Sequence, residues 1–182
     1  MVTVTKQQVS ANSTRSTSRL KRWWRHALYM PWLTERYFKQ DSLSQIEQAV
    51  KSAELGHVGE IVVIIEGNLP LKLAYYLDTQ QRALDLFSHY QVWDTEYNSG
   101  MLLYVNICER QVELLADRGI HQFVTSEHWQ TICEQVTSQF MQEHYVEGVL
   151  TGVQLIGQTL QAFYTARLQE PGNERSNRPI LI

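Results

Sequence analysis

The hydrophobic positions change period along the chain, and the changes mark out the elements. Residues 1–17 are polar, with Ser and Thr repeated and little to bury, and they predict disorder. From Leu20 the pattern becomes helical: Leu20, Trp23, Trp24, Ala27 and Leu28 share one face, while Lys21, Arg22, Arg25 and His26 lie largely off it. Met30-Pro31-Trp32 ends that helix, expected over 19–29. Ser42 with Gln45 three residues on resembles a capping box, and Leu43, Ile46, Val50 and Ala53 follow at helical spacing up to Gly56. Ile61 to Ile65 is an unbroken β-branched run, the pattern of a strand buried on both faces. Leu73, Tyr76, Leu77, Leu84 and Phe87 predict one helix, residues 91–99 a loop, and Met101 to Ile107 a second apolar strand. Val112, Leu114 and Ala116 predict a third strand, joined to the second by a tight corner at Cys108 to Arg110. Two more helices follow, on Trp129 to Phe140 and Val146 to Phe163. Gly148 and Gly152 in the last one point to close packing.

The order is helix, strand, helix, strand, strand, helix, helix. The fold class is α/β: a small mixed β-sheet with flanking helices, strands one and two parallel and strand three antiparallel. We divide the chain into a basic arm at 1–40, a domain at 41–168 and a loose tail at 169–182.

Length and composition agree with this division. The chain has 182 residues, 43% hydrophobic and 19% charged, which suits one domain with a sizeable core. Two cysteines, Cys108 and Cys133, supply no disulfide framework and read as buried thiols. No apolar run approaches a membrane span and the first residues do not resemble a secretory signal, so we expect a cytoplasmic protein, peripheral at the inner membrane face if bound there at all.

Charge adds a sharper feature. Residues 1–40 carry eight Lys and Arg against Glu35 alone, a net of +7, while the remaining eight bases face eighteen acids, a net of −10. A basic amphipathic helix with two tryptophans has the make-up of an interfacial anchor for an anionic membrane, through Lys21, Arg22, Trp23, Trp24 and Arg25. The alternative is a flanking helix that packs its tryptophans on its own domain. Nucleic acid is a poorer match, because the body is acidic.

The expected topology brings polar residues to one end of the sheet. Glu60 begins strand one, Asp94, Glu96 and Asn98 lie in the loop feeding strand two, and Asp117, Arg118 and His121 follow strand three. Clustered carboxylates repel unless a cation or an Arg neutralises them, and oxygen-rich clusters suit Ca²⁺ or Mg²⁺. Turn capping, with Arg118 paired to an Asp, accounts for the same residues without a metal. His57 at the end of its helix reads as a cap on the helix carbonyls. No G-x-S-x-G, P-loop or G-x-G-x-x-G pattern is present, which leaves serine-hydrolase, P-loop and Rossmann chemistry unsupported.

Several segments together are familiar. Gly59-Glu60-Ile61-Val62-Val63, Asn98-Ser99-Gly100-Met101-Leu102-Leu103-Tyr104-Val105, Arg110 to Ile120, and the series Trp129, Phe140, Tyr145, Gly148, Gly152 resemble the TPM domain over about residues 40–165. The family is named for thylakoid lumen and membrane proteins linked to photosystem repair and is widespread in bacteria; this chain is similar to a shorter bacterial branch. The resemblance implies an α/β sandwich with a mixed sheet. It also implies a link to membrane-protein maintenance, a divalent cation held at an acidic loop cluster, and for some members phosphatase activity. By motif position Asn98, Gly100, Asp117 and Gly119 match. A ligand that relatives take from a Leu-Thr-Asp step comes here from Glu127, in Val124-Thr125-Ser126-Glu127, or is missing. Two functions follow: a non-catalytic module that binds a partner and a membrane surface, or a metal-assisted phosphatase in which Asp94, Asp117 and Glu96 hold the ion, Arg118 steadies phosphate and His121 protonates the leaving oxygen.

Overall fold

The computed structural model describes residues 19–121, 123–164 and 175–182. The expected disorder of 1–17 therefore lies outside the described residues. Helices α1 (Arg19–Ala27) and α2 (Trp32–Tyr37) lead into α3 (Gln40–Ala53), β1 (Glu60–Glu66), α4 (Leu71–Tyr76) and α5 (Thr79–His89). Then come β2 (Gly100–Asn106), β3 (Gln111–Ala116), the single turn α6 (Arg118–His121), α7 (Ser126–Met141), α8 (Tyr145–Tyr164) and β4 (Ile180–Leu181).

The sheet order is β3-β2-β1-β4. β1 and β2 run parallel from Glu60 opposite Gly100 to Glu66 opposite Asn106, and β3 returns antiparallel, with Tyr104 opposite Glu113. Because side chains alternate across a strand, the sheet feeds two cores. Ile61, Val63, Ile65, Met101, Leu103 and Val105 face the core shared with α3, α7 and α8. Val62, Ile64, Leu102 and Tyr104 face the smaller core under α5. The double burial of β1 read from its β-branched run is present at every position.

Local details differ from the sequence reading. Ser42 and Gln45 make no capping box: α3 starts three residues earlier, with Lys39 at its N-cap and no side-chain cap bond. A capping box does form at Asp78 and Gln81, where it starts α5. The helix expected from Leu73 to Phe87 is therefore two helices, parted by an extended Leu77 and by Asp78. Part of the supposedly loose tail is a strand. Ile180 and Leu181 pair in parallel with Ile64 and Ile65, and the Gly67 N–H donates to the Ile182 carbonyl at 2.9 Å.

Glycines set the closest approaches. Phe140 fills the space beside Gly148 in α8, in keeping with the expected close packing. At Gly100 a Cβ would lie 1.8 Å from the Val92 carbonyl oxygen, which is backbone and cannot swing away. This contact seats the 91–99 loop on the start of β2. Gly100→Ala is expected to lower stability by about 3 kcal/mol, read as a fall in the urea midpoint; an unchanged midpoint would mean that the loop is not seated there.

Candidate functional site

The end of the sheet singled out by the sequence assembles only in part. Asn98 adopts a positive φ of 53°, which Asn tolerates better than most residues, and its carbonyl accepts from the Gly119 N–H at 3.0 Å. Asp117 is buried. Its N–H donates to the Gly100 carbonyl at 2.9 Å, and its Oδ1 accepts from the Arg118 N–H at 2.7 Å. Arg118 Nε donates to Asn98 Oδ1 at 3.1 Å. Asn98, Asp117 and Arg118 thus form one unit. Burial raises the Asp117 carboxyl above its ordinary range, partly offset by the Arg118 N–H and charge. Asp94 and Glu96 are exposed at the loop surface. Glu127 lies in the first turn of α7, its carboxylate held below the usual range by its own N–H and the Thr125 hydroxyl. The backbone of His121 closes α6, but its side chain lies outside the described residues.

These positions test the cation reading. Asp117 Oδ2 is a buried oxygen with no hydrogen-bond partner, which would suit a cation. The rest of the set does not follow: Asn98 Oδ1 is engaged by a guanidinium, Asp94 and Glu96 face solvent, and among the described residues no three His, Cys, Asp or Glu side chains group as metal ligands. The residues as placed form a hydrogen-bonded turn and do not fit a divalent ion held by this set.

Glu60 is buried beside a strap that the sequence reading left in the tail. Its Oε2 accepts from the Arg175 N–H at 3.3 Å, and the Arg175 guanidinium donates to the carbonyls of Tyr90, Gln91 and Asp94, the last at 2.7 Å. Asn177 donates to Glu54 Oε2, while Glu54 Oε1 accepts from the Ile61 N–H at 2.7 Å. As expected, His57 caps its helix, with Nε2 2.6 Å from the Ala53 carbonyl.

A second group of largely buried polar and charged residues sits at the other end of the sheet, where β1 and β2 finish. Glu66 is clamped by Arg82 of α5, Nη2 to Oε1 at 2.7 Å, and accepts from the Tyr104 hydroxyl at 2.6 Å. Asn106 Nδ2 donates to that hydroxyl at 3.0 Å, and Asn106 Oδ1 accepts from the Glu109 N–H at 2.9 Å. Burial, with Glu66 beside it, pushes the Tyr104 hydroxyl well above its ordinary range. Glu66 and Asn106 are polar residues at the ends of otherwise apolar strands, and that shared place was the available signal.

Glu109 carries this network to the arm. Its Oε1 lies 2.8 Å from His26 Nε2, and the Leu69 N–H donates to His26 Nδ1 at 3.1 Å. Arg22 Nε donates to the Ala74 carbonyl at 2.9 Å and stands 3.9 Å from Glu109. The helix is therefore seated on its polar side: Arg22 and His26 are buried, 9% and 1% exposed. Its apolar stripe faces outward, with Leu20, Trp24 and Leu28 exposed by 59%, 53% and 73%. Met30 and Trp32 just beyond it are also exposed, Trp23 and Arg25 are half-buried, and Arg19 and Lys21 are exposed. Of the two readings of this helix, the one in which both tryptophans pack on the domain does not hold for Trp24: α1 packs on α4, which supplies a backbone carbonyl to Arg22.

The family model described as TPM domain matches residues 34–159. Among solved structures, the BA42 protein of the psychrophilic bacterium Bizionia argentinensis, determined by NMR, superposes with a TM-score of 0.70 at 23% identity, covering 80% of this chain and 95% of its own. The N-terminal domain of a P. gingivalis protein gives 0.59 at 17% identity, over 69% of this chain and 78% of its own. At these identities the likeness establishes the fold. No curated protein matches by sequence. The family match begins at Thr34, so α1 lies before it.

Glu54 supplies a test of the strap end. Burial, aided by Glu60, pushes its carboxyl up to about 7 from an ordinary 4.5, against the opposing bonds from Ile61 and Asn177. The folded chain then binds a proton that the unfolded chain gives up between those two values, so stability falls as pH rises through this window and levels off above it. The loss attributable to Glu54 is about 3 kcal/mol. Glu54→Gln should flatten that slope in urea melts across the window; an unchanged slope would place the carboxylate in a more solvated setting.

Proposed function

The chain belongs to the TPM domain family, and on that premise we propose that it is a non-catalytic interaction module held against an anionic membrane surface by α1. One observation carries this reading: the helix buries Arg22 and His26 and turns Leu20, Trp24 and Leu28 to solvent. Leaving a large apolar side chain in water forgoes about 1.5 to 3 kcal/mol, and burying cationic groups costs more unless they are paired. An arrangement that does both on one helix is stable only because Glu109, Leu69 and Ala74 receive the polar side. The outward side then has the make-up of an interfacial helix: Trp and Leu for the acyl boundary, with Arg19, Lys21 and Arg25 for anionic headgroups. Among the described residues no helix is long and apolar enough to cross a membrane, so the attachment proposed is peripheral.

In this reading the domain is what the arm delivers. Its loop end offers Trp93, Phe123 and Arg118, all exposed, next to Asp94 and Glu96. Tryptophan and arginine are the residue types that most often anchor protein contacts. A protein partner there fits the membrane-protein maintenance that the family resemblance implies. Phosphatase action has less behind it: Arg118 is hydrogen-bonded to Asn98, no nucleophile stands beside Asp117 among the described contacts, and the metal set is not gathered.

The test is co-sedimentation of the full chain with vesicles of neutral lipid alone and of neutral lipid mixed with anionic lipid. We expect binding to the anionic vesicles that weakens with added salt. Trp24→Ser should reduce it about tenfold, the counterpart of the apolar burial withdrawn. Equal partition onto both vesicle types, or no change in the variant, would contradict the reading.

A further inference from the structure

The seat of α1 contains a titratable group in an unusual position. His26 is fully enclosed, and both ring nitrogens are engaged by different elements. A backbone N–H can only donate, so the Leu69 N–H obliges Nδ1 to be an acceptor, and the ring's one proton must lie on Nε2, directed at Glu109. The only place for a second proton is Nδ1. That atom cannot hold a proton and accept from Leu69 at once, so the doubly protonated ring and the seated helix exclude each other at this contact.

When they conflict, the two sides are unequally fixed. Leu69 is completely buried, and the segment before it is tied down: the Gly67 carbonyl accepts from the Cys108 N–H at 2.9 Å and the Gly67 N–H donates to Ile182 at 2.9 Å. Among the described contacts, helix α1 is held by the Arg22 bond to Ala74, the Glu109 contact and packing on α4, none of them a bond from its backbone to the domain. The helix is the side that yields. Charges around the ring are Glu109, which attracts an imidazolium, and Arg22 and Arg25 on the same helix, which repel one. Cys108, pushed up to about 12 by burial with Glu109 beside it, stays neutral. The 67–70 segment has no titratable side chain, and α4 offers Lys72, Tyr75 and Tyr76.

We propose that His26 is a proton-sensitive fastener: adding a proton at Nδ1 frees α1 from the domain, so that a helix docked on a membrane holds the domain rigidly when the ring is neutral and as a loose tether when it is charged. This regulation rests on the membrane reading above, but the fastener is tested without lipid. Histidine is the side chain whose charge ordinarily changes between about pH 5 and 8. Nitrogen-15 NMR of the full chain across that range follows the ring and the Leu69 amide together. We expect the Nε2–H form at the upper end. As the ring gains its proton, Leu69 amide protection, corrected for intrinsic exchange, should fall about tenfold or more, and the Trp23 and Trp24 indole signals should move with the same midpoint. His26→Gln should abolish that indole step. A ring that takes its proton while Leu69 stays protected would overturn the proposal. So would an Nδ1–H form at the upper end, or a ring that stays neutral throughout. Vesicle binding measured separately at the upper end decides the docking reading, so the two can fail independently.

Discussion

The seating of α1 on the central domain is arranged around a single carboxylate. Glu109 stands at the tight corner between β2 and β3, is almost completely buried, and receives His26 and Arg22 from a helix more than eighty residues earlier in the chain. A buried carboxylate needs partners, and so do a buried imidazole and guanidinium. Satisfying all three at once fixes which face of α1 meets the domain. The exposed tryptophan and leucine side chains are the consequence, since a helix cannot bury both of its faces against one neighbour. Through its backbone N–H, Glu109 also joins Asn106, Tyr104, Glu66 and Arg82, so the arm is continuous with the polar seam that lies between the sheet and α5.

The central fold was largely legible in the sequence because its signals are local. A β-branched run such as Ile61 to Ile65 has few alternatives to a doubly buried strand, and a right-handed crossover leaves little freedom in ordering β1 and β2. What escaped the reading depends on distant partners. Periodicity locates the apolar stripe of α1 but carries no information on which stripe the domain receives; only the position of Glu109 decides that. The pairing of Ile180 and Leu181 with β1 is similar, because a two-residue strand has no periodicity, and its anchors, Arg175 and Asn177, act on backbone carbonyls and on Glu54. Local rules also misfire: the capping box expected at Ser42 does not form, while one that was not expected forms at Asp78, whose side chain receives the third amide of α5.

The candidate site was legible to a lesser degree. Topology did bring Asn98, Asp117 and Arg118 together, as the strand directions required. Composition could not tell whether the positive partner of the acidic end would be a metal ion or a side chain, and Arg118 takes the Asn98 oxygen that a metal would need. Glu60 was correctly placed at the start of β1, yet its partner comes from the strap. The two ends of the sheet therefore differ in kind. One is a surface of loops bearing Trp93, Phe123 and Arg118; the other is a closed network of charges whose outermost member orients a helix.

The outward face of α1 is probed most directly by tryptophan quenching by lipid. Fluorescence of the full chain on anionic vesicles would be recorded with a quencher carried on the acyl chains just below the headgroups, beside a Trp24→Phe variant. Strong quenching in the wild type that is largely lost in the variant would place the Trp24 indole in the acyl boundary, as the proposed docking of α1 on the membrane predicts. Quenching that is absent, or equal in the two proteins, would contradict it.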